Sequence, residues 1–526
     1  MAVKSAKKTT QIKREPAPVR RKLQWPLTIP VEPYLRDHRF NGQVILSAVE
    51  ILQRLAVSLQ SHCPDAPVRR MQSASFERFL TIEEDCRVIE ACHEAEIHEN
   101  GRFRSRLTTV GPLPGKTVRR TKVHAVVDFV EPEPDRDPLP MDLASSLEGV
   151  VFDVPVLRLY EELVPFGPAY RSLTSLFLSE SGALGRLLAP EYKASAPLGS
   201  PFPFDGALHA ACAWGQRFRH IIAFPVGFEE RTIFVPTKPG GAYICRVLPV
   251  ATDGGELIFD IRIYAPDGAL CEDIRGVVMK DVFGGRNKPP NWIGIGGGAN
   301  GRHPADREDL LLARIRKQCR ALSVIEIRAV ADFADQALSP AEQARSEKMG
   351  RKRKASFVAG RLALKRLSRQ LNGGDSSTPA SGVHTIMPDG VRPRCPAPPG
   401  SEIFCSLSHD ARFAVAAAVD EPVGIDVEQV SDRILKTRHL FMTDEEMALT
   451  ERSPLGAAAA SIRVWSVKEA VSKLMDRPLA ESWHAVSVYV IGRHMSRLTV
   501  NGERYTAFHD AVDDHVFTLI KKAANL

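Results

Sequence analysis

The chain has 526 residues, 44% hydrophobic and 25% charged, with a modest net charge of +7, a composition that suits a globular protein of several compact units. No apolar run approaches the ~20 residues that cross a bilayer, and the basic N-terminus lacks the apolar core of a secretory signal. Nine cysteines without a CxxC pair suit buried thiols in a reducing compartment better than a disulfide framework, so the expected location is the cytoplasm.

Residues 1–22 hold eight basic side chains against one acid, Glu15, with Pro16 and Pro18 between them, which predicts a disordered basic arm over 1–24. "DHRFNG" then places His38 four residues before Gly42; taken alone, His38 is a loop histidine. "HEAEIH" spaces His93 and His98 five residues apart, which breaks the four-residue step of an HExxH zinc face. "FGPAYRSL" (166–173), "FDGALHAACAW" (204–214) and "PVGFEERTIF" (225–234) follow. Asp205 and His209 fall one helical turn apart, and out of context Asp205 reads as a helix cap. Runs such as "GAYICRVLPV" and "LIFDIRIYAPDGAL" alternate with few helical patterns, an α+β texture with antiparallel sheet. "PDG" at 266–268 and at 388–390 is turn chemistry.

From 284 to 306 Gly, Pro and Asn dominate and no period survives, which predicts a linker between halves that fold separately. Gly294, Gly296 and Ala299 spell GxGxxA there, but prolines precede it and no strand–turn–helix unit surrounds it. Residues 340–371 are strongly helical in pattern, with Val358, Leu362 and Leu371 on one stripe and Arg361 and Lys365 on another face. That basic face could be solvated, bind RNA or hold phosphates. Residues 403–429 predict two or three strands, with Ser408 and His409 in a polar turn. "GIDVEQV" sets Asp426 and Glu428 on one strand face, either an exposed face or a pair of hard oxygen ligands suited to Mg²⁺. "FMTDEEMALTE" opens a helix at Thr443 with Glu446 completing a capping box. In "RVWSVKEAVSKLMD", Trp465, Glu469 and Lys473 share one helical face; the plain reading is a solvated Glu–Lys pair beside a partly buried ring.

As a set, "GRLALK", "SLSHD", "GIDVEQ", "FMTDEE" and "WSVKEAVSK" resemble, in order and spacing, the surfactin-type 4'-phosphopantetheinyl transferases over roughly residues 320 to 520. The resemblance implies a pseudo-twofold α+β fold, Mg²⁺ as cofactor and coenzyme A as substrate. It implies Asp426, Glu428 and Glu469 as metal ligands, Glu469 also as the base, and Lys473 facing the pyrophosphate. Ser408 and His409 would contact the nucleotide phosphates, Arg361 and Lys365 would be upstream basic contacts, and Arg392 and Pro393 would shape the adenine side.

The upstream segments resemble the dehydratase domains of modular polyketide synthases, which are double hot-dog folds of antiparallel sheet wrapped around helices. His38 with Gly42 matches the family's H-x-x-x-G, and Asp205 with His209 matches D-x-x-x-(Q/H). This implies His38 as the base that takes an α-proton and Asp205 as the acid for the departing hydroxyl. Two departures are Ser47, where the family has proline, and "PFPF" before Asp205.

The chain is thus expected to hold a basic arm (1–24), a dehydratase-like double hot-dog (25–283), a linker (284–306) and a phosphopantetheinyl transferase domain (307–526). The shared partner is an acidic apo acyl carrier protein of a polyketide or fatty acid synthase. The alternative is a catalytically dead hot-dog that docks the transferase onto a synthase. Nucleic-acid binding is disfavoured, since no aromatic stacking platform accompanies the basic residues.

Overall fold

The computed structural model describes residues 17–112, 119–133, 138–145, 147–192, 197–253, 255–294, 311–374, 378–386, 395–398 and 400–522. In the N-terminal half, strands that bury every second residue need a partner layer for one face, as in Val88–His98. Twelve strands join into one antiparallel sheet. Its spatial order is Val19–Pro30, Val88–His98, Phe103–Pro112, Arg119–Phe129 and Arg70–Phe76, then Phe224–Ile233, Leu270–Lys280, Glu256–Tyr264, Ala242–Asp253, Gly182–Leu188, Leu173–Ser179 and Phe152–Asp153. The first five wrap helix α1 (Ala48–His62), and the rest wrap helix α2 (Phe202–Arg219). Ala207, Ala210, Ala211 and Ala213 of α2 are fully buried, and their small side chains let the helix sit close to the sheet. Two hot-dogs meet where Arg70–Phe76 pairs with Phe224–Ile233, as expected for a double hot-dog.

Two boundaries differ from the sequence reading. Residues 19–24, expected in the basic arm, begin the edge strand, because Glu90, Glu94 and Glu96 on Val88–His98 offset its charge; Lys22 pairs with Glu96 at 3.2 Å. Residues 1–16 lie outside the described residues. The first part of the expected linker is fastened. Trp292 donates to Glu162 Oε2 at 2.7 Å under the Arg158 guanidinium, and Ile293 is fully buried. Residues 295–310, with two positions of the GxGxxA, lie outside the described residues, as does the "PDG" at 388–390.

The C-terminal half is built twice. Helices α3 (Pro340–Ser346) and α4 (Arg351–Leu371) pack on the three-stranded sheet Ala321–Glu326, Phe413–Val419 and Phe404–His409. Helices α5 (Asp444–Glu451) and α6 (Ala457–Met475) pack on the five-stranded sheet that begins with Gly424–Gln429. Each half carries the same buried knot. The capping-box glutamate of the short helix, Glu342 or Glu446, pairs at 2.7 Å with a lysine of the long one, Lys365 or Lys468. The same ammonium donates to a carbonyl five residues before the glutamate, that of Ala337 or Phe441. The glutamate's other oxygen accepts the backbone N–H of Thr385 or Val488. A buried ion pair persists where its remaining hydrogen-bonding capacity is met, and here each is met in the same way.

Of the readings left open for the Arg361 and Lys365 face of α4, the solvated one does not hold, since residues 358–368 are buried on every side. The sheet covers one side, and a segment of the N-terminal half covers another: Met141, Leu143, Ala144, Leu147 and Val151 share a core with Leu362, Ala363 and Leu367. Arg366 donates to the carbonyls of Ala144 (2.8 Å) and Leu147, and Arg369 to both oxygens of Asp142. Gly149 bridges to Ile325 in parallel. The two halves are continuous in their packing, contrary to the expectation of separate folding.

Residues 311–526 produced alone should therefore expose the apolar side of α4 and deprive Arg366 of the Ala144 and Leu147 carbonyls. We expect aggregation, or a melting temperature lowered by 10 °C or more (order of magnitude, ~3 kcal/mol or more) relative to the full chain, checked by light scattering and calorimetry.

Candidate active sites

The first constellation forms where Gly424–Gln429 crosses α6. Gly424 allows the crossing: a Cβ there would collide with the carbonyl of Ala470. The close approach sets Asp426 and Glu428 against the Trp465–Glu469–Lys473 face of the helix. Lys473 Nζ donates to Asp426 Oδ1 (2.7 Å), Ser408 Oγ (2.8 Å) and Ile425 O (3.1 Å), and Ser408 Oγ donates to Asp426 Oδ1 at 2.8 Å. Trp465 Nε1 donates to Glu428 Oε1 at 3.0 Å, so the face that resembled a solvated pair points into a site. Ser408 and His409 end the strand Phe404–His409, not a turn as expected.

Burial, then repulsion from Asp426, pushes the Glu428 carboxyl up to about 7. Burial also raises Glu469, against the opposing pull of Lys473. Desolvation and the Lys473 ammonium lower His409. Among the described residues no three His, Cys, Asp or Glu side chains close around one point as a ready ligand set. The three acids are electrostatic neighbours, and Lys473 supplies the positive charge beside Asp426. Asp426 Oδ2 is buried and receives no hydrogen bond among the described residues, so the donor set fits a hard divalent cation.

Of the two upstream cations, Arg361 lies against Phe357 and donates to Thr385 O at 2.9 Å. Lys365 is a correction: it is 1% exposed and committed to Glu342 and the Ala337 carbonyl. Its counterpart in the second half is Lys468, not Lys473. The signal that could have separated them is the capping-box glutamate about 22 residues upstream of each. Arg392 and Pro393 lie outside the described residues.

The second constellation surrounds a cavity of ≈ 260 Å³ lined by His38, Asp205, His209 and the rings of Phe40, Phe79 and Phe224. Gly42, at φ +79°, turns the chain so that Ile45 O returns to His38 Nδ1 at 2.8 Å. A carbonyl only accepts, so Nδ1 carries the proton and Nε2 keeps its lone pair. The ring packs on Phe166 (4.3 Å between centroids) and Tyr170 (5.0 Å), and burial lowers its pKa. Asp205 is no cap: α2 starts at Phe202, and Asp205 sits a turn inside with its Oδ2 2.8 Å from His209 Nε2. Ser47 has φ −64° and ψ 153°, a conformation proline would adopt, and its side chain accepts the Glu50 N–H, so the departure from proline keeps the loop and gains a cap. The "PFPF" rings pack on Tyr170 and Phe228. His93 and His98, dismissed as a zinc pair, bond instead to Ser58 and the Ala17 carbonyl.

Residues 422–520 match the family model of the 4'-phosphopantetheinyl transferase superfamily, and residues 140–287 match that of the polyketide synthase dehydratase N-terminal domain. One chain carries both. Enterobactin synthase component D of Salmonella austin is 33% identical over 125 residues, 24% of this chain and 48% of that protein, so the chain spans about half the length of this curated relative. The dehydratase domain of RzxB from Pseudomonas fluorescens is similar at 15% identity and TM-score 0.41, over 48% of this chain and 94% of that one. The dehydratase domain from the CurF module of curacin polyketide synthase aligns at 16% and 0.41, over 51% and 96%. Ser408, His409 and Arg361 lie before the matched transferase segment, and His38 before the matched dehydratase segment; the fold brings them in.

Lys365→Met should destabilise the chain by about 3–5 kcal/mol, as should Lys468→Met, by leaving a buried glutamate unpaired; denaturant melts and calorimetry check this. For Glu428, whose folded pKa is raised above the ordinary 4.5, the stabilisation is complete below 4.5 and is lost as pH rises through about 7. Metal-free protein should therefore melt progressively lower across that window; Glu428→Gln should flatten the profile, and Mg²⁺ should restore stability at the alkaline end.

Proposed function

We propose that the C-terminal region transfers the 4'-phosphopantetheine arm of coenzyme A to a serine of an apo acyl carrier protein, a holo-[acyl-carrier-protein] synthase reaction. The observation that carries this reading is the Lys473–Asp426–Ser408 contact with Glu428 and Glu469 beside it, within and adjoining the matched segment. Asp426, Glu428 and Glu469 would hold Mg²⁺, which when bound neutralises charge on the attacked and leaving phosphoryl groups. Glu469, with its raised pKa, takes the proton of the carrier serine as that oxygen attacks the β-phosphorus. The bond to 3',5'-ADP breaks, and Lys473 moves from Asp426 to the pyrophosphate oxygens. Ser408 and His409 meet the nucleotide phosphates. Arg361, whose Nε has no partner among the described residues, remains the upstream contact.

In the N-terminal region we propose dehydration of 3-hydroxyacyl thioesters on a carrier protein in polyketide or fatty acid synthesis. His38 Nε2 takes the α-proton, Asp205 protonates the departing hydroxyl, and water and the 2-enoyl thioester result. The apolar cavity suits the base, since burial disfavours the charged imidazolium of His38.

Mass spectrometry of apo carrier protein with the full chain, coenzyme A and Mg²⁺ should give the pantetheinylated species, and Glu469→Gln should lower the rate by about a hundredfold or more without altering the melt. Near-normal turnover of that variant sinks the assignment. His38→Ala and Asp205→Asn should each stop enoyl formation from a 3-hydroxyacyl carrier while pantetheinyl transfer continues; a folded wild-type chain that yields no enoyl product over several chain lengths leaves docking as the role.

A further inference from the structure

The turn after His409 is held from beneath by a side chain that belongs to neither site. Glu326, at the end of the strand Ala321–Glu326, is 1% exposed, and a carboxylate so buried requires donors on both oxygens. Its Oε1 accepts Arg328 Nε at 2.8 Å and Arg412 Nε at 3.2 Å. Its Oε2 accepts the backbone N–H of Val151, from the dehydratase-like half, at 2.9 Å.

Arg412 lies inside the turn that follows Ser408 and His409. Its carbonyl accepts Ile327 N at 2.8 Å, and its guanidinium also pairs with Asp513 at 2.7 Å. Asp410 closes the turn by accepting the N–H groups of Arg412 and Phe413, each at 2.7 Å, with its other oxygen 3.1 Å from His515 Nε2. The position of His409 therefore depends on Arg412, that of Arg412 on Glu326, and that of Glu326 on Val151. The Val151 segment is itself fixed: Gly149 N donates to Val324 O at 2.9 Å, and Arg328 donates to Val151 O at 3.1 Å. Gly149 holds φ +77°, and a Cβ there would stand 3.0 Å from Leu311 Cδ2, so the segment enters this contact only with glycine at 149.

We propose that Glu326 is a positioning residue for coenzyme A, and that the dehydratase-like half, through residues 149–151, completes the nucleotide-phosphate end of the transferase site. This rests on the reading of Ser408 and His409 as coenzyme A contacts. The two regions are then coupled: the first shapes substrate binding in the second through the Val151–Glu326–Arg412 contacts.

The test is coenzyme A binding to the full chain by calorimetry, without carrier protein, alongside steady-state transfer. Glu326→Gln should weaken coenzyme A by about tenfold, in Kd and in KM, with kcat and the KM for carrier protein little changed. Gly149→Ala, on the other half of the chain, should shift the same constants in the same direction, and it carries the test if the glutamine variant does not fold. A unique structural role would instead lower the melting temperature and all kinetic constants together, and that result overturns the proposal, as does an unchanged Kd in both variants. If the unsubstituted chain binds no coenzyme A, the transferase reading itself fails, and this inference with it; binding that the variants leave intact removes this inference alone.

Discussion

An arginine in the middle of a buried helix must find acceptors, because five N–H donors cannot be left dry in an apolar interior at small cost. Arg366 finds the carbonyls of Ala144 and Leu147, on the segment that joins the two hot-dogs. That requirement, together with the Arg369–Asp142 pair, ties α4 to the N-terminal half. The carbonyls lie in and just after the short 3-10 turn Leu143–Ser145, with no strand to satisfy them, so each side supplies what the other lacks. Once docked, the apolar residues around them merge into one core with α4, and residues 358–368 of the helix lose their solvent face.

The repeated Lys–Glu knot explains why that docking falls where it does. In the second half, the residue after the knot lysine is Glu469 and the fifth after it is Lys473, both aimed at the carboxylate site. In the first half the corresponding residues are Arg366 and Gln370. Gln370 exchanges hydrogen bonds with the backbone of Leu322, and Arg366 turns to the dehydratase-like segment. The same helical surface therefore faces a site in one copy and carries an interface in the other. Pseudo-symmetry fixes the framework, while the side chains at equivalent steps decide what each copy does.

The two sites are poised by burial in opposite senses. Around Asp426 burial and crowding favour the protonated forms of Glu428 and Glu469, so that negative charge gathers there only with a compensating cation. In the N-terminal cavity burial disfavours the charged imidazolium and leaves His38 with a free lone pair. The same desolvation thus raises the pKa of the acids in one place and lowers that of the imidazole in the other. A hydrogen bond to a backbone carbonyl then selects which nitrogen of His38 is free.

Much of this was legible in the residues. The capping box of Thr443 and Glu446, the shared face of Trp465, Glu469 and Lys473, and the alternate positions of Asp426 and Glu428 on one strand depend on backbone periodicities that act over a few residues, and the structure contains all three. The spacing of His38 to Gly42 and of Asp205 to His209 is equally local. What sequence alone could not decide was which polar residues end up buried, since burial depends on what arrives from elsewhere in the chain. Lys365 and Lys473 both read as cations on a helix, yet one closes a core ion pair and the other enters a site, because only Lys365 has Glu342 beneath it. The burial of α4, the fastened start of the linker and the reach of Val151 to Glu326 were decided by contacts between residues 130 to 227 positions apart. No periodicity reports such contacts; they are fixed when two surfaces bury each other.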